Sequence, residues 1–187
     1  MKSKFMPIVV IIAIIAVLGM WIAGTYNGLV SKSEEAKTQQ SNIQTQLQRR
    51  ADLIPNLVNT VKGYAAHESE VIQSVADARS KLAGAASTQE ALNANDELNS
   101  ALSRLLVVVE NYPDLKANAN FRDLQAQLEG TENRITVARK DYNTAVQDYN
   151  TSIKRFPTVI IANIFGYKEL PYFEASPQSQ NVPEVNF

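Results

Sequence analysis

YNGLVSKSEEAKTQQSNIQTQLQRRADLIPNLVNTVKGYAAHESEVIQSVADARSKL, residues 26 to 82, is the stretch whose spacing decides the fold. Alternate steps of three and four from Tyr26 land on Tyr26, Leu29, Ser33, Ala36, Gln40, Ile43, Leu47, Arg50, Ile54, Leu57, Val61, Tyr64, Glu68, Val71, Val75, Ala78 and Leu82. Thirteen of these seventeen are apolar. A seam of that period lines one face of a helix and no face of a strand. Its phase persists across Pro55, which predicts one long helix kinked at the proline or two helices in near-register. The first break is expected at GAAST, residues 84 to 88, with Gly84 as the stop and Ser87 or Thr88 as the next cap. Pro55 leaves the Ala51 carbonyl without its usual donor, and Asn56 or Arg50 is expected to compensate.

Outward from that stretch the same period recurs. A second helix is expected from Gln89 to Asn111, burying Leu92, Leu98, Leu102, Leu105, Leu106 and Val109. It ends before Pro113, because the residue preceding a proline leaves helical backbone. A third starts with Asn120 as its cap and carries Phe121, Leu124, Leu128, Thr131, Ile135, Ala138, Tyr142, Ala145, Tyr149 and Ser152 on one face, stopping at Phe156-Pro157. Gly130 within it predicts close approach of a neighbouring helix. No segment alternates with period two over strand length. The fold class is therefore all-α: a long antiparallel helical bundle, coiled-coil-like, since a helix with one narrow apolar stripe must bury it against others.

Toward the N-terminus, FMPIVVIIAIIAVLGMWIAG, residues 5 to 24, carries no charge over twenty residues. At about 1.5 Å per residue it spans the roughly 30 Å hydrocarbon layer of a bilayer. Phe5, Ile8, Ile11 and Leu18 read as lipid-facing, and Trp21 suits the interface at the far end. The competing reading is a cleaved signal peptide after Lys2 and Lys4, but its apolar core is longer than such peptides use. Lysines on the two sides balance, and the proximity of Lys2 and Lys4 to the apolar run favours a cytoplasmic N-terminus. The domain would then lie on the outer side of the inner membrane, tethered by a single pass. The expected organisation is an anchor at 1–24, a helical domain at 25–167 and a partly disordered tail at 168–187.

Composition narrows the chemistry. Lysine and arginine total 18 against 19 acidic residues; without Lys2 and Lys4 the domain has 16 against 19, a net −3, which gives no field for a phosphate backbone and so no nucleic-acid partner. Cysteine is absent and histidine occurs once, at 67, so disulfides, thiolate metal sites and a complete histidine triad are excluded. His67 and Glu70 share a helical face in this reading, two ligands where zinc needs three or four. Glu132, Arg134, Arg139 and Asp141 read as a solvated face. No catalytic residue, cofactor or metal is expected.

Tyr142-Asn143 and Tyr149-Asn150 repeat seven apart, with Tyr26-Asn27 a third copy; the rings either fill the core or form a stripe that recognises another helix. After Pro157, TVIIANIFGYKELPYF concentrates Ile160, Phe165, Tyr172 and Phe173 in a span too short to cross a membrane. It reads as a terminal helix and strap over the bundle end, or as a second contact with lipid or another subunit. The last residues, EASPQSQNVPEVNF, are polar and proline-bearing and read as disordered.

Several phrases together resemble the LemA family: YNGLV at 26–30, RRADLIPNLVNTVKGYAAHE at 49–68, ENYPDLKANANF at 110–121, TENRITVARKDYNTAVQDYN at 131–150 and FPTVIIANIFGYKELPYFE at 156–174. The resemblance covers most of the chain, in order, after an apolar N-terminus. It implies an N-terminally anchored long-helix bundle in bacterial membranes. Relatives are associated with internal-membrane formation in magnetosome-bearing bacteria, others are encoded near membrane proteases, and the family carries no agreed catalytic residues. The expected function is that of a structural membrane protein whose copies associate as a homo-oligomer to organise or remodel the lipid bilayer. The alternative is a non-enzymatic adaptor for a membrane protease or envelope enzyme. Tyr26, Pro55, Tyr142, Tyr149, Ile160, Phe165, Tyr172 and Phe173 are the candidate self-association or partner face.

Overall fold

The computed structural model describes residues 6–173; Phe5, Lys2, Lys4 and the EASPQSQNVPEVNF segment lie outside them. The described residues are all-α: six helices and no strand. These are α1 (Met6–Lys62), α2 (Ser69–Ala83), α3 (Thr88–Val109), α4 (Pro113–Ala117), α5 (Ala119–Lys154) and α6 (Thr158–Ile164). They divide into two compact units. One holds α1 through Thr38 with Tyr142–Tyr172, the other is built on Gln39–Asp141.

In the second unit the seam of α1 is buried, with Ile43, Leu47, Ile54, Leu57 and Val61 all close to fully covered. Burying such a side chain contributes about 1.5–3 kcal/mol, so this row is one substantial source of the unit's cohesion. α2 covers part of it with Ile72, Val75, Ala78 and Leu82, and α3 adds Leu92, Leu98, Leu102, Leu105 and Val109. Leu106, expected in the core, is instead exposed; it lies one residue past the buried row. Ser87 caps α3, accepting from the Glu90 amide at 3.2 Å, while Glu90 Oε2 accepts from the Ala86 amide at 2.8 Å.

The seam does not run unbroken to Gly84. The chain leaves the helix at Gly63 and turns until Glu68, with the Ala65 amide donating to the Val61 carbonyl at 2.8 Å and the Glu68 amide to the Ala65 carbonyl. Tyr64, on the predicted seam, is exposed. Its hydroxyl accepts from Asn118 Nδ2 at 2.9 Å, and Glu68 accepts from the Tyr112 hydroxyl at 2.9 Å. The turn is thus pinned to the α3–α5 connection, where Leu115 is fully buried and Asn118, rather than Asn120, caps α5 by accepting from the Phe121 amide. His67 sits exposed in this turn, off any helix.

Pro55 is accommodated within α1. The donor to the Ala51 carbonyl is neither Asn56 nor Arg50 but Arg79 Nε, reaching from α2 at 3.3 Å. Gly130 also departs from expectation: a Cβ there would meet nothing within 4 Å, so no neighbouring backbone explains it. Gly130→Ala should therefore gain up to about 1 kcal/mol from helix propensity and raise the urea midpoint. An unchanged or lowered midpoint would mean the site needs its glycine.

In the first unit α5 returns antiparallel along α1. Lys32 Nζ donates to Ser152 Oγ at 2.7 Å and to the Asp148 carbonyl at 3.4 Å, and Leu29 packs with Tyr149, Ile153 and Ala162. After the cis Phe156-Pro157 peptide, α6 buries Ile161 and Ala162. Gly166, at φ 74°, reverses the chain where a side chain would be strained. Residues 168–171 then run back along α5 as a strap.

Candidate functional site

Three features carry the chemistry of this chain. The first is the start of α1. From Met6 to Gly24 every side chain is exposed, including Ile8, Ile11, Leu18 and Trp21, and no charge interrupts the stretch. This is the one described helix long and apolar enough to cross a membrane. It continues without a break into the packed part of α1, where Leu29 and Ala36 are buried.

The second is a polar layer inside the second unit. Arg50 occupies a seam position and is 3% exposed. Its Nη1 donates to Asn95 Oδ1 at 2.7 Å and to Glu132, and its Nη2 to Asn99 Oδ1. Glu132 also accepts from the Nδ2 groups of Asn95 and Asn99, both at 3.2 Å. The cluster joins α1, α3 and α5 through both terminal nitrogens of the guanidinium, while Arg50 Nε is buried without a hydrogen-bond partner. Burial lowers the Arg50 pKa, and the charge and hydrogen bond of Glu132, with Asp96, oppose that. A cleft of about 500 Å³ opens beside it, its apolar side formed by Leu57, Leu102, Leu105 and Phe121. No group of three potential metal-ligating side chains occurs among the described residues. A charged polar layer in an apolar seam disfavours a slip of helix register, because the slip would bury the charge unpaired.

The third is the α6 end of the first unit. Tyr26 packs against Phe165 with ring centroids 4.8 Å apart and against Tyr167 at 6.1 Å, and Tyr167 meets Tyr149 edge-on. Of the two readings of Tyr142 and Tyr149, core filling and a recognition stripe, their burial fits the first, and their hydroxyls serve the strap. The Tyr149 hydroxyl donates to the Lys168 carbonyl at 2.9 Å and the Tyr142 hydroxyl to the Pro171 carbonyl at 3.0 Å. Asn150 exchanges two hydrogen bonds with the Leu170 backbone, at 2.8 and 2.9 Å. Tyr142, Tyr149 and Asn150 thus latch one extended segment. Tyr26, Ile160, Phe165 and Tyr172 remain exposed, Phe173 is half-buried, and Pro55 is exposed on α1.

Burial raises the pKa of both Tyr142 and Tyr149 above the ordinary phenol value of 10.0. The folded state favours the neutral phenol, so this contribution is whole below pH 10 and is lost as pH rises through the folded values, when a phenolate can no longer donate to the strap. Tyr149→Phe should cost about 1 kcal/mol at neutral pH and shrink the alkaline loss. Thermal melts at pH 8 and pH 11 check this; an unchanged alkaline loss would contradict it.

Most of the polar layer escaped the sequence. Arg50 was visible as the charge in the seam, but Glu132 read as part of a solvated face, and nothing in the spacing singled out Asn95 or Asn99. Their convergence is a tertiary fact.

Comparison with known proteins agrees with the architecture. Residues 39–187 match the LemA family. The chain is 30% identical to magnetosome protein MamQ 2 of Paramagnetospirillum magneticum over 89% of its own length and 70% of that protein's. It is 28% identical to magnetosome protein MamQ of Magnetospirillum gryphiswaldense, over 81% of this chain and 65% of that one. Protein LemA of Metamycoplasma hominis is 25% identical over 93% and 80% of the two chains. A family match over most of the chain, joined to a relative of this similarity and coverage, places the protein in the LemA family.

Proposed function

We propose that this protein is a membrane-anchored structural protein without enzymatic activity, whose copies associate laterally and so organise or remodel the bilayer that holds them. The observation that carries the reading is the continuity of α1: an apolar segment exposed on all sides leads, in one helix, into the packed core around Leu29 and Ala36. An exposed apolar surface of that length is stable only if lipid or protein covers it. Any movement of the span is then passed to the first unit without a flexible linker. The names of the MamQ relatives, magnetosome proteins, support a role at a membrane compartment. In this reading the chain crosses once with a cytoplasmic N-terminus, and the domain lies outside the cytoplasm.

The helical seam is already covered within the chain, so association falls to what stays uncovered: the span, and apolar side chains such as Val107 and Val137. Photo-crosslinkers at these two positions in membranes test the reading. Adducts between copies are expected, together with altered membrane outlines in cells producing the protein. A strict monomer whose removal leaves membrane shape untouched would refute it, and one dominant foreign adduct would instead identify an adaptor for a membrane protease or envelope enzyme.

A further inference from the structure

We propose that α6 and the turns flanking it form a second lipid contact, inserted into the headgroup layer of the same leaflet from which α1 emerges. The inference rests on the anchored reading above and adds a contact site to it.

The register within the first unit sets the level. Lys32 lies opposite Asp148 and Ser152, and the two helices run antiparallel. Each residue gained along α5 is therefore matched by one lost along α1, and Phe156 arrives level with about Tyr26. Tyr26 is only two residues, about 3 Å of helix rise, beyond the last residue of the apolar run. The headgroup zone is roughly 5–7 Å thick on each side of the hydrocarbon, so this level falls inside it. The Tyr26–Phe165 contact at 4.8 Å brings the far end of α6 to the same place. The strap then climbs away, from Lys168 beside Tyr149 to Pro171 beside Tyr142.

The residues left at that level are unlike an ordinary wet surface. Phe156 is 82% exposed, Ile164 69%, Phe165 52% and Ile160 49%. Ile160 and Ile164 are four apart and share one face of α6, while Ile161 and Ala162 face the core. A short helix that turns Ile160 and Ile164, with the polar Asn163 beside them, away from its own core has the makings of an interfacial element. Arg155 and Lys168 are exposed next to it, and Lys154 pairs with Glu169 at 2.8 Å. Long basic side chains at this depth reach phosphates while their stems stay among apolar groups. A bilayer is the occupant because the patch continues the surface of the apolar segment in the same unit.

The chain's one tryptophan, Trp21, makes the test direct. The full-length protein is reconstituted in phosphatidylcholine vesicles with ordinary or brominated acyl chains. Trp21 reports the anchor in the unsubstituted chain; Ile164→Trp and Phe156→Trp, each in a Trp21→Phe background, report the proposed contact at positions that need no repacking. The expected result is that brominated lipid lowers emission from both introduced tryptophans by roughly half, since an interfacial helix sits about 5–10 Å into the headgroup–acyl boundary, within reach of the brominated chains. Quenching of Trp21 alone would overturn the α6 contact and leave the anchor standing. A blue-shifted but unquenched signal at 156 or 164 would overturn it in favour of cover by a second copy. No quenching at any of the three positions would overturn contact and anchor together.

Discussion

Glu132→Leu is expected to destabilise the second unit by roughly 3 kcal/mol, read as a lowered urea midpoint at neutral pH. The substitution leaves the Arg50 guanidinium buried without its counter-charge and orphans the amide donors of Asn95 and Asn99. The lower end of the range for broken buried pairs applies, because the Glu132 side chain retains about a third of its exposure and Asn95 and Asn99 still accept from Arg50. The double variant Arg50→Met/Glu132→Leu should recover part of that loss, since it removes the unpaired charge but leaves the Asn95 and Asn99 amides without their partners. If Glu132→Leu costs under about 1 kcal/mol, the pair behaves as an exposed one and the polar layer does not set register.

Charge in the apolar segment should have the largest effect of all. Ile14→Arg with Ile15→Asp places two ions at the centre of the span, each costing roughly 2.5–3.5 kcal/mol of insertion on translocon scales. The variant should leave the membrane fraction, while far-UV circular dichroism and the urea midpoint of the helical units hold. Nothing from Met6 to Gly24 is buried in the domain, so its packing has nothing to lose. Retention of the double variant in washed membranes would point to attachment elsewhere, with α6 as the first place to look.

What the sequence disclosed and what it withheld follow one physical line. Periodic burial is a local signal, so most of the seam from Leu29 to Val61 and of the α5 row from Phe121 to Tyr149 was legible, with Ser33, Gln40 and Leu124 only half-buried. The break at Gly63 was masked because Val75, Ala78 and Leu82 resume the same phase after the turn. Hydrogen bonds between distant segments leave no periodic trace. Arg79 on the Ala51 carbonyl, Tyr112 on Glu68, and Asn95 and Asn99 around Arg50 join residues 28 to 49 positions apart. The paired tyrosines were conspicuous as a pattern, yet their work, holding the 168–171 backbone, depends on where the returning chain is laid down. Gly130 is the opposite case, a residue whose type invited a packing explanation that the open space around it does not support.

A membrane anchor requires that the apolar start of α1 remain part of the working protein. Intact-mass and N-terminal peptide analysis of native material, after carbonate washing of membranes, addresses this directly. We expect a washed membrane pellet holding chains that retain the segment through Trp21. A freely soluble product whose N-terminus lies near Thr25 would contradict it.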